Sequence, residues 1–322
     1  MNSDANEDRL LVAANLYYME ELTQEEIASR LGCSRVAVTR MLKKCKELGL
    51  VKISVKKPMP ELYRLSLQLE RRFRLKAAVV VESRDDPQEG LAEIGRGGAQ
   101  LLERLATPGC GIGVAWSATV SSMIPFVHRL PFKPGRIHEL AGTYLSRENP
   151  YGVSWPLAEK LGVGVESIPM PVLVRDGEVK DMMLKEPAIH VALDNASKVD
   201  LAFVGIGNIS PSASIVRAGY IGQAELAEFS SKGAVGDILM RYYGADGRYI
   251  PMSFEDRTIS LEWEQILRLP MVVALAFGPD KLAAISGALA GRAIHGLVTD
   301  RQTAICLLEP DCRLPSADKP TA

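Results

Sequence analysis

The chain has 322 residues, 47% of them hydrophobic and 24% charged, with a formal net charge of -1. That length leaves room for more than one domain and a sizeable core, and the composition is that of an ordinary soluble globular protein. The longest apolar runs, such as 271–277, are too short to span a bilayer, and the acidic, polar start MNSDANEDR is no signal peptide.

Charge is unevenly distributed along the sequence. Residues 29–57 carry nine Lys or Arg (Arg30, Arg35, Arg40, Lys43, Lys44, Lys46, Lys52, Lys56 and Lys57) against one acid, Glu47, so this segment is +8 and the remainder -9. A basic patch on a nearly neutral chain is either a solvated lysine face or a footprint for phosphates. The five cysteines (Cys33, Cys45, Cys110, Cys306 and Cys312) show no paired framework, apart from a weak Cys306/Cys312 spacing. The four histidines (His128, His138, His190 and His295) are scattered. No zinc motif can be assembled from these residues, neither metal nor cofactor is expected, and the odd cysteine count points to reduced thiols in a cytoplasm.

Taken in order, residues 7–19 predict a first helix with Leu10, Ala14, Tyr17 and Tyr18 on its apolar stripe. The stretch 23–42, TQEEIASRLGCSRVAVTRML, predicts two short helices joined by a tight turn. Thr23 and Glu26 have capping-box spacing, Ile27, Ala28 and Leu31 share an inner face, and Gly32 suits a left-handed helix end. Ser34 caps the second helix, which turns Val38, Met41 and Leu42 inward. Ser34, Arg35, Val36, Thr39, Arg40, Lys43 and Lys44 are left as candidate DNA contacts. Hydrogen-bonding and cationic side chains on the exposed N-terminal part of such a helix are what reading a major groove requires. The pattern is a helix-turn-helix, and its coincidence with the basic segment selects DNA over a bland lysine face. The alternating VKISVK that follows predicts a short strand, completing a winged arrangement with Lys52, Lys56 and Lys57 near phosphates.

Pro58 and Pro60 mark a boundary. Residues 1–57 form the DNA-binding domain, 58–76 a linker helix and 77–322 an effector and oligomerisation domain. In the linker, Leu62, Leu65, Leu69 and Phe73 recur at helical spacing, which suits either pairing with a second copy or packing on its own domain. From Ala77 onward, apolar runs at 77–81, 111–115, 136–140, 200–205, 271–277 and 295–300 read as buried strands. Helical stretches at 88–105, 117–129, 154–161, 187–198, 225–231, 280–294 and 300–308 alternate with them. That alternation predicts an α/β domain with a largely parallel sheet, and the last residues, 311–322, read as a frayed tail.

Ligands of open α/β sheets sit beyond the carboxyl ends of the strands. Four junctions there have suitable chemistry: the glycine-rich stretch from Gly109 through Gly113 to Thr119, Ala141-Gly142-Thr143, Gly205-Ile206-Gly207-Asn208, and Gly278-Pro279-Asp280-Lys281. Lys281 lies in the first turn of a predicted helix, where the dipole disfavours a cation, so it has either an anionic partner or no role beyond the surface. Asp237 suits either sugar hydroxyls or a helix cap.

The headpiece LYYMEELTQEEIASRLGCSRVAVTRMLKKCKELGLVKI, together with VDLAFVGIG, GAVGDI, FGPDKLAAISGAL and LVTDRQTA in that order, resembles the SorC/DeoR-type sugar-binding transcriptional regulators over roughly residues 8 to 309. The resemblance implies a winged helix-turn-helix followed by an effector domain related in fold to sugar-phosphate isomerases and deaminases. It also implies a usually tetrameric assembly and a phosphorylated-sugar ligand, and the chain is expected to form a homo-oligomer, dimer or tetramer. By resemblance, Trp116, Ser117 and Thr119 line the phosphate end, Asp237 holds the sugar, and Lys281 pairs with phosphate or a polar sugar group. Two departures stand out: Ala118 where the family commonly has arginine, and Ala141-Gly142-Thr143 in place of Asn-Gly-Gly. Both remove polar or cationic partners and bring a free sugar or polyol into consideration.

The expected function is an operator-binding regulator of a carbohydrate catabolic operon, controlled by a sugar, polyol or sugar phosphate, with no catalytic residue. The alternatives are an isomerase or deaminase with an accessory DNA-binding headpiece and, less favoured, an architectural DNA binder.

Overall fold

The computed structural model describes residues 2–53, 56–143, 152–211, 213–217 and 219–309. The chain divides into two units, Met1–Met59 and Pro60–Ala322.

In the first unit, helices α1 (Asn2–Tyr18), α2 (Gln24–Arg30) and α3 (Arg35–Glu47) close over one small core. Leu10, Ala13, Ala14, Ile27, Ala28, Val38, Leu42 and Cys45 are buried in it. The capping box at Thr23 forms: the Glu26 N–H donates to Thr23 Oγ1 at 3.3 Å, and the Thr23 N–H donates to Glu26 Oε2 at 2.8 Å. Both bonds satisfy amides that a helix start would otherwise leave orphaned. Gly32 follows α2 with φ 59°, a conformation that costs other residues a Cβ clash. Ser34 then caps α3, accepting the Ala37 N–H at 3.2 Å. The centre of the expected wing strand, 54–55, lies outside the described residues, and those flanking it form no strand pairing.

The second unit contains strands β1 (Ala77–Val81), β2 (Ile112–Val114), β3 (Ile137–Glu139), β4 (Val165–Glu166) and β5 (Leu201–Gly205). They are followed by β6 (Gly207–Asn208), β7 (Ala234–Ile238), β8 (Arg241–Gly244), β9 (Val272–Leu275) and β10 (Gly296–Asp300). Seven of these form a parallel sheet in the order β1-β10-β9-β5-β2-β3-β4, and β6-β7-β8 form a small antiparallel sheet. The strands are apolar on both faces because both faces are covered. Val79, Phe203, Leu275 and Val298 enter one core layer, whereas Val80, Val204, Ala274 and Leu297 enter the other.

The helices are α4 (Glu61–Phe73), α5 (Pro87–Leu105), α6 (Ala118–Ser121), α7 (Ser154–Leu161), α8 (Gly177–Leu184) and α9 (Pro187–Ala196). Then come α10 (Ser214–Arg217), α11 (Gln223–Ser231), α12 (Trp263–Arg268), α13 (Leu282–Ala290) and α14 (Arg301–Leu308). Helix α4 buries Leu65 and Leu69, each contributing about 1.5–3 kcal/mol of apolar burial. It also completes the outermost strand: the Ala78 N–H donates to Glu70 Oε1 at 2.8 Å, and the Val80 N–H donates to Ser66 Oγ at 3.0 Å. On the opposite face, α5 approaches the sheet so closely that a Cβ at Gly97 would lie 2.6 Å from Val298 Cγ1.

Three expectations need correction. The helix expected over 117–129 is only the single turn α6 followed by a 3-10 turn at Ile124–Phe126. Ser122 Oγ donates back to the Thr119 carbonyl, and Pro125 cannot continue the ladder. Asp237 caps no helix, for it lies within β7. Cys33, Cys45 and Cys110 are free, but Cys306 is disulfide-bonded, so the thiols are not all reduced.

The connectivity places a crevice. From β2 the chain runs outward to β3 and β4, and from β5 it runs the other way to β9 and β10. Adjacent β2 and β5 therefore flank the switch point, where loops leave in opposite directions and open a ligand site.

Candidate functional site

At that switch point lies a cavity of about 470 Å³. Trp116, Ser117 and Thr119 beyond β2, Gly205 and Gly207 at the end of β5, Asp237 on β7 and Lys281 beyond β9 all line it. Two glycines are required by contact. A Cβ at Gly205 would lie 2.3 Å from Ser117 Oγ, and one at Gly207 would lie 1.8 Å from Asp237 Oδ1.

The polar side chains are held before any ligand arrives. The Ser117 and Thr119 hydroxyls share a hydrogen bond of 2.9 Å. Asp237 Oδ2 accepts the Met240 N–H at 3.0 Å, and Lys281 Nζ donates to the Ile206 carbonyl at 2.7 Å. Burial pushes the Asp237 carboxyl up to about 6, against the pull of the Met240 N–H and the Lys281 charge. Burial also lowers the Lys281 ammonium, opposed by Asp237. The two set a fixed acceptor and a fixed donor in the same cavity, which suits recognition of hydroxyl groups.

The remaining candidates sit elsewhere. Gly142 and Thr143 line an adjoining cavity of about 270 Å³, together with Glu139 and Ser154. The two cavities share Trp116 and Ala141 as walls. Gly113 lines neither; it lies inside β2, where a Cβ would come within 2.5 Å of Leu140 Cδ2. Its absent side chain serves packing.

Sequence reasoning missed Leu239 and Met240, which form part of the cavity wall. They make the two-residue turn between β7 and β8, with left-handed φ of 55° and 63°. Such turns favour Asn-Gly, so Leu-Met carries no turn signal. The next residue, Arg241, is only 2% exposed and anchors the hairpin. Its Nη1 donates to Glu255 Oε2 at 2.9 Å, its Nε donates to the Leu261 carbonyl at 3.1 Å, and its Nη2 lies 3.0 Å from Glu262 Oε1. Tyr249 OH also donates to Glu255.

In the first unit, α3 exposes Arg35, Val36, Thr39, Arg40, Lys43 and Lys44 beyond the exposed cap Ser34. Thr39 is less free than its position suggests: its hydroxyl donates to Gln24 Oε1 at 2.8 Å, linking α3 to α2. Arg35 lies 3.9 Å from Glu25, and Lys43 lies 3.7 Å from Glu47, both well exposed and therefore weak pairs. Among the described residues no helix is long and apolar enough to cross a membrane, and no group of three or more His, Cys, Asp or Glu is placed to hold a metal.

A chain that carries both a helix-turn-helix and a cavity lined by hydroxyl-matching groups has counterparts among known proteins. The model of a sugar-binding domain family matches residues 57–309, and that of the Crp-like helix-turn-helix domain matches residues 12–59. The chain belongs to this family of sugar-binding transcriptional regulators. It is 30% identical over 311 residues to the transcriptional regulator LsrR of Klebsiella pneumoniae, covering 94% of each chain. Identity to the deoxyribonucleoside regulator of Bacillus subtilis is 30% over 300 residues, covering 92% of this chain and 96% of that one. The crystal structure of the full-length sorbitol operon regulator SorC from Klebsiella pneumoniae superposes with a TM-score of 0.73 at 28% identity, covering 95% of this chain and 100% of that one. The family member described here is a DNA-binding transcriptional regulator, not an enzyme. The isomerase or deaminase alternative is therefore set aside. A shared fold carries none of its relatives' chemistry.

Proposed function

We propose that this regulator controls a carbohydrate catabolic operon in the cytoplasm, reading operator DNA with α3 and a carbohydrate effector with the cavity at the β2/β5 switch point. Residues 1–57 would be the DNA reader, 58–76 the linker and 77–322 the effector and oligomerisation domain. Arg35 and Arg40 would contact base edges, with Thr39 holding the helix pair together. Lys43 and Lys44 would contact phosphates, which position the helix without carrying sequence information. The observation that supports the effector role is that Asp237 and Lys281 line one cavity together with the Ser117 and Thr119 hydroxyls. An acceptor, a cation and two hydroxyls around one cavity match the alternating donors and acceptors of a polyhydroxy ligand.

Control requires that the effector bind the DNA-competent and DNA-incompetent states with different affinities, since equal affinity shifts nothing. Assembly as a dimer or homotetramer would pair two reading helices on half-sites roughly 34 Å apart or a multiple of that distance. The test selects operator sequence from a random DNA pool with the full chain, then measures its affinity in the presence of sugars, polyols and their phosphates. A ligand that raises the melting temperature and changes operator affinity supports the reading. Operator binding indifferent to every member of the panel would overturn the effector role. Light scattering of the purified chain decides between dimer and tetramer.

A further inference from the structure

The wall of the effector cavity carries little cationic charge. Among the described residues lining it, Lys281 is the one cationic side chain, and it shares the lining with two carboxylates, Asp237 and Asp280. Its ammonium is already engaged by the Ile206 carbonyl at 2.7 Å and by the field of Asp237. Position 118, at the start of α6, is an alanine, as is position 141 on the wall shared with the adjoining cavity. Much of the rest is apolar, including Leu239, Met240 and Phe277.

A phosphate monoester carries between one and two negative charges at neutral pH. Binding strips its water, and that cost is recovered where Arg or Lys meets its oxygens or where a long helix presents its N-terminus. Of the helix starts at the cavity, α6 has only four residues, the first amides of α5 are taken by the Asp86 carboxylate, and those of Lys281 and Leu282 at the start of α13 are taken by the Gly278 and Pro279 carbonyls, while the single ammonium faces a carboxylate. Neutral hydroxyls, by contrast, gain from every polar group present: Asp237 accepts, Lys281 donates, and Ser117, Thr119 and Asn208 do both.

We infer that the effector is an uncharged polyhydroxy compound, a free sugar or polyol, in preference to its phosphate ester. This rests on the reading of the cavity as a carbohydrate site. Asp237 is the selecting group: it takes two ligand hydroxyls as an acceptor and opposes a phosphate by like charge. The apolar patch of Leu239, Met240 and Phe277 covers the carbon face of the ligand.

Isothermal titration of the full-length protein with erythritol, ribitol, sorbitol, ribose and glucose, each beside its monophosphate, tests the inference. The expected result is at least one neutral compound bound tenfold or more tightly than its phosphate. Asp237→Asn should reduce that preference at least fivefold, and Ala118→Arg should improve binding of the phosphate at least tenfold. Circular dichroism confirms the fold of both variants, and the wild-type comparison stands alone should either fail to fold. A phosphate bound as tightly as its parent or more tightly, or a preference for the neutral compound below tenfold in every pair that binds, overturns the inference while leaving the carbohydrate reading intact. Absence of binding by any member of both series overturns the carbohydrate reading itself and this inference with it.

Discussion

The Asp237 carboxylate accepts the N–H of Met240 at 3.0 Å across a two-residue turn in which Leu239 and Met240 both hold left-handed φ. The turn is unfavourable for its residues, costing roughly 1–2 kcal/mol at each. It persists because Asp237 holds it on the cavity side while Arg241 is pinned by Glu255 in the interior. The cavity wall and the buried ion pair are thus consecutive parts of one hairpin.

The first prediction concerns pH. The Asp237 carboxyl titrates near 6 in the fold against an ordinary 3.8. The folded chain therefore keeps a proton that the unfolded chain releases. The stability this gives is fully present below about pH 4 and is lost as pH rises through 6, by about 2–3 kcal/mol at most. Asp237→Asn should flatten that slope and raise the melting temperature at pH 8 relative to wild type. Thermal unfolding of both proteins between pH 4.5 and 8 checks it; parallel profiles would sink the assignment.

Gly207→Ala should separate sensing from DNA binding. Its methyl would collide with Asp237 Oδ1, displacing the carboxylate, while the first unit is a separate fold. Effector affinity should drop at least tenfold, about 1.4 kcal/mol, with ligand-free operator affinity within twofold. Anisotropy titrations with and without the effector read both quantities.

Arg241→Ala should cost about 3–5 kcal/mol of stability, because it leaves Glu255 buried and uncompensated. The double variant Arg241→Met with Glu255→Gln should recover most of that loss. Urea denaturation of the two variants beside wild type measures the difference, and equal losses would show that the charge pair is not what matters.

On α3, Arg35→Ala should weaken operator binding by about 1–3 kcal/mol and relax sequence preference. Lys43→Ala should weaken binding to all sequences alike and lower the salt slope by about one. Affinity for operator and scrambled DNA across a salt series tells the two roles apart.

Much of this was legible in the sequence wherever one physical rule acted locally. Thr23, Glu26, Gly32 and Ser34 fixed the helix-turn-helix through capping alone, and Ala77–Val81 showed a buried parallel strand by its unbroken apolar run. Legibility failed where distant residues decided the outcome. Gly113 looks like a ligand-loop glycine, but Leu140 in the next loop claims its space. The Leu239-Met240 turn carries no turn residues, since its conformation is imposed by Asp237 and Arg241 on either side. Thr39 faces outward by periodicity, and only the fold shows its hydroxyl taken by Gln24.

Finally, β1 forms one margin of the large sheet, and the amides of Ala78 and Val80 are taken by Glu70 and Ser66 of α4. A margin whose donors are occupied by side chains cannot accept another strand. Copies of this chain therefore cannot join by continuing the sheet past β1. Uncontrolled growth into fibrous aggregates is closed off on this side, and any second copy would have to dock elsewhere. The same bonds fix α4 to the sheet, so the segment that follows the unit boundary at Pro60 is built into the second unit.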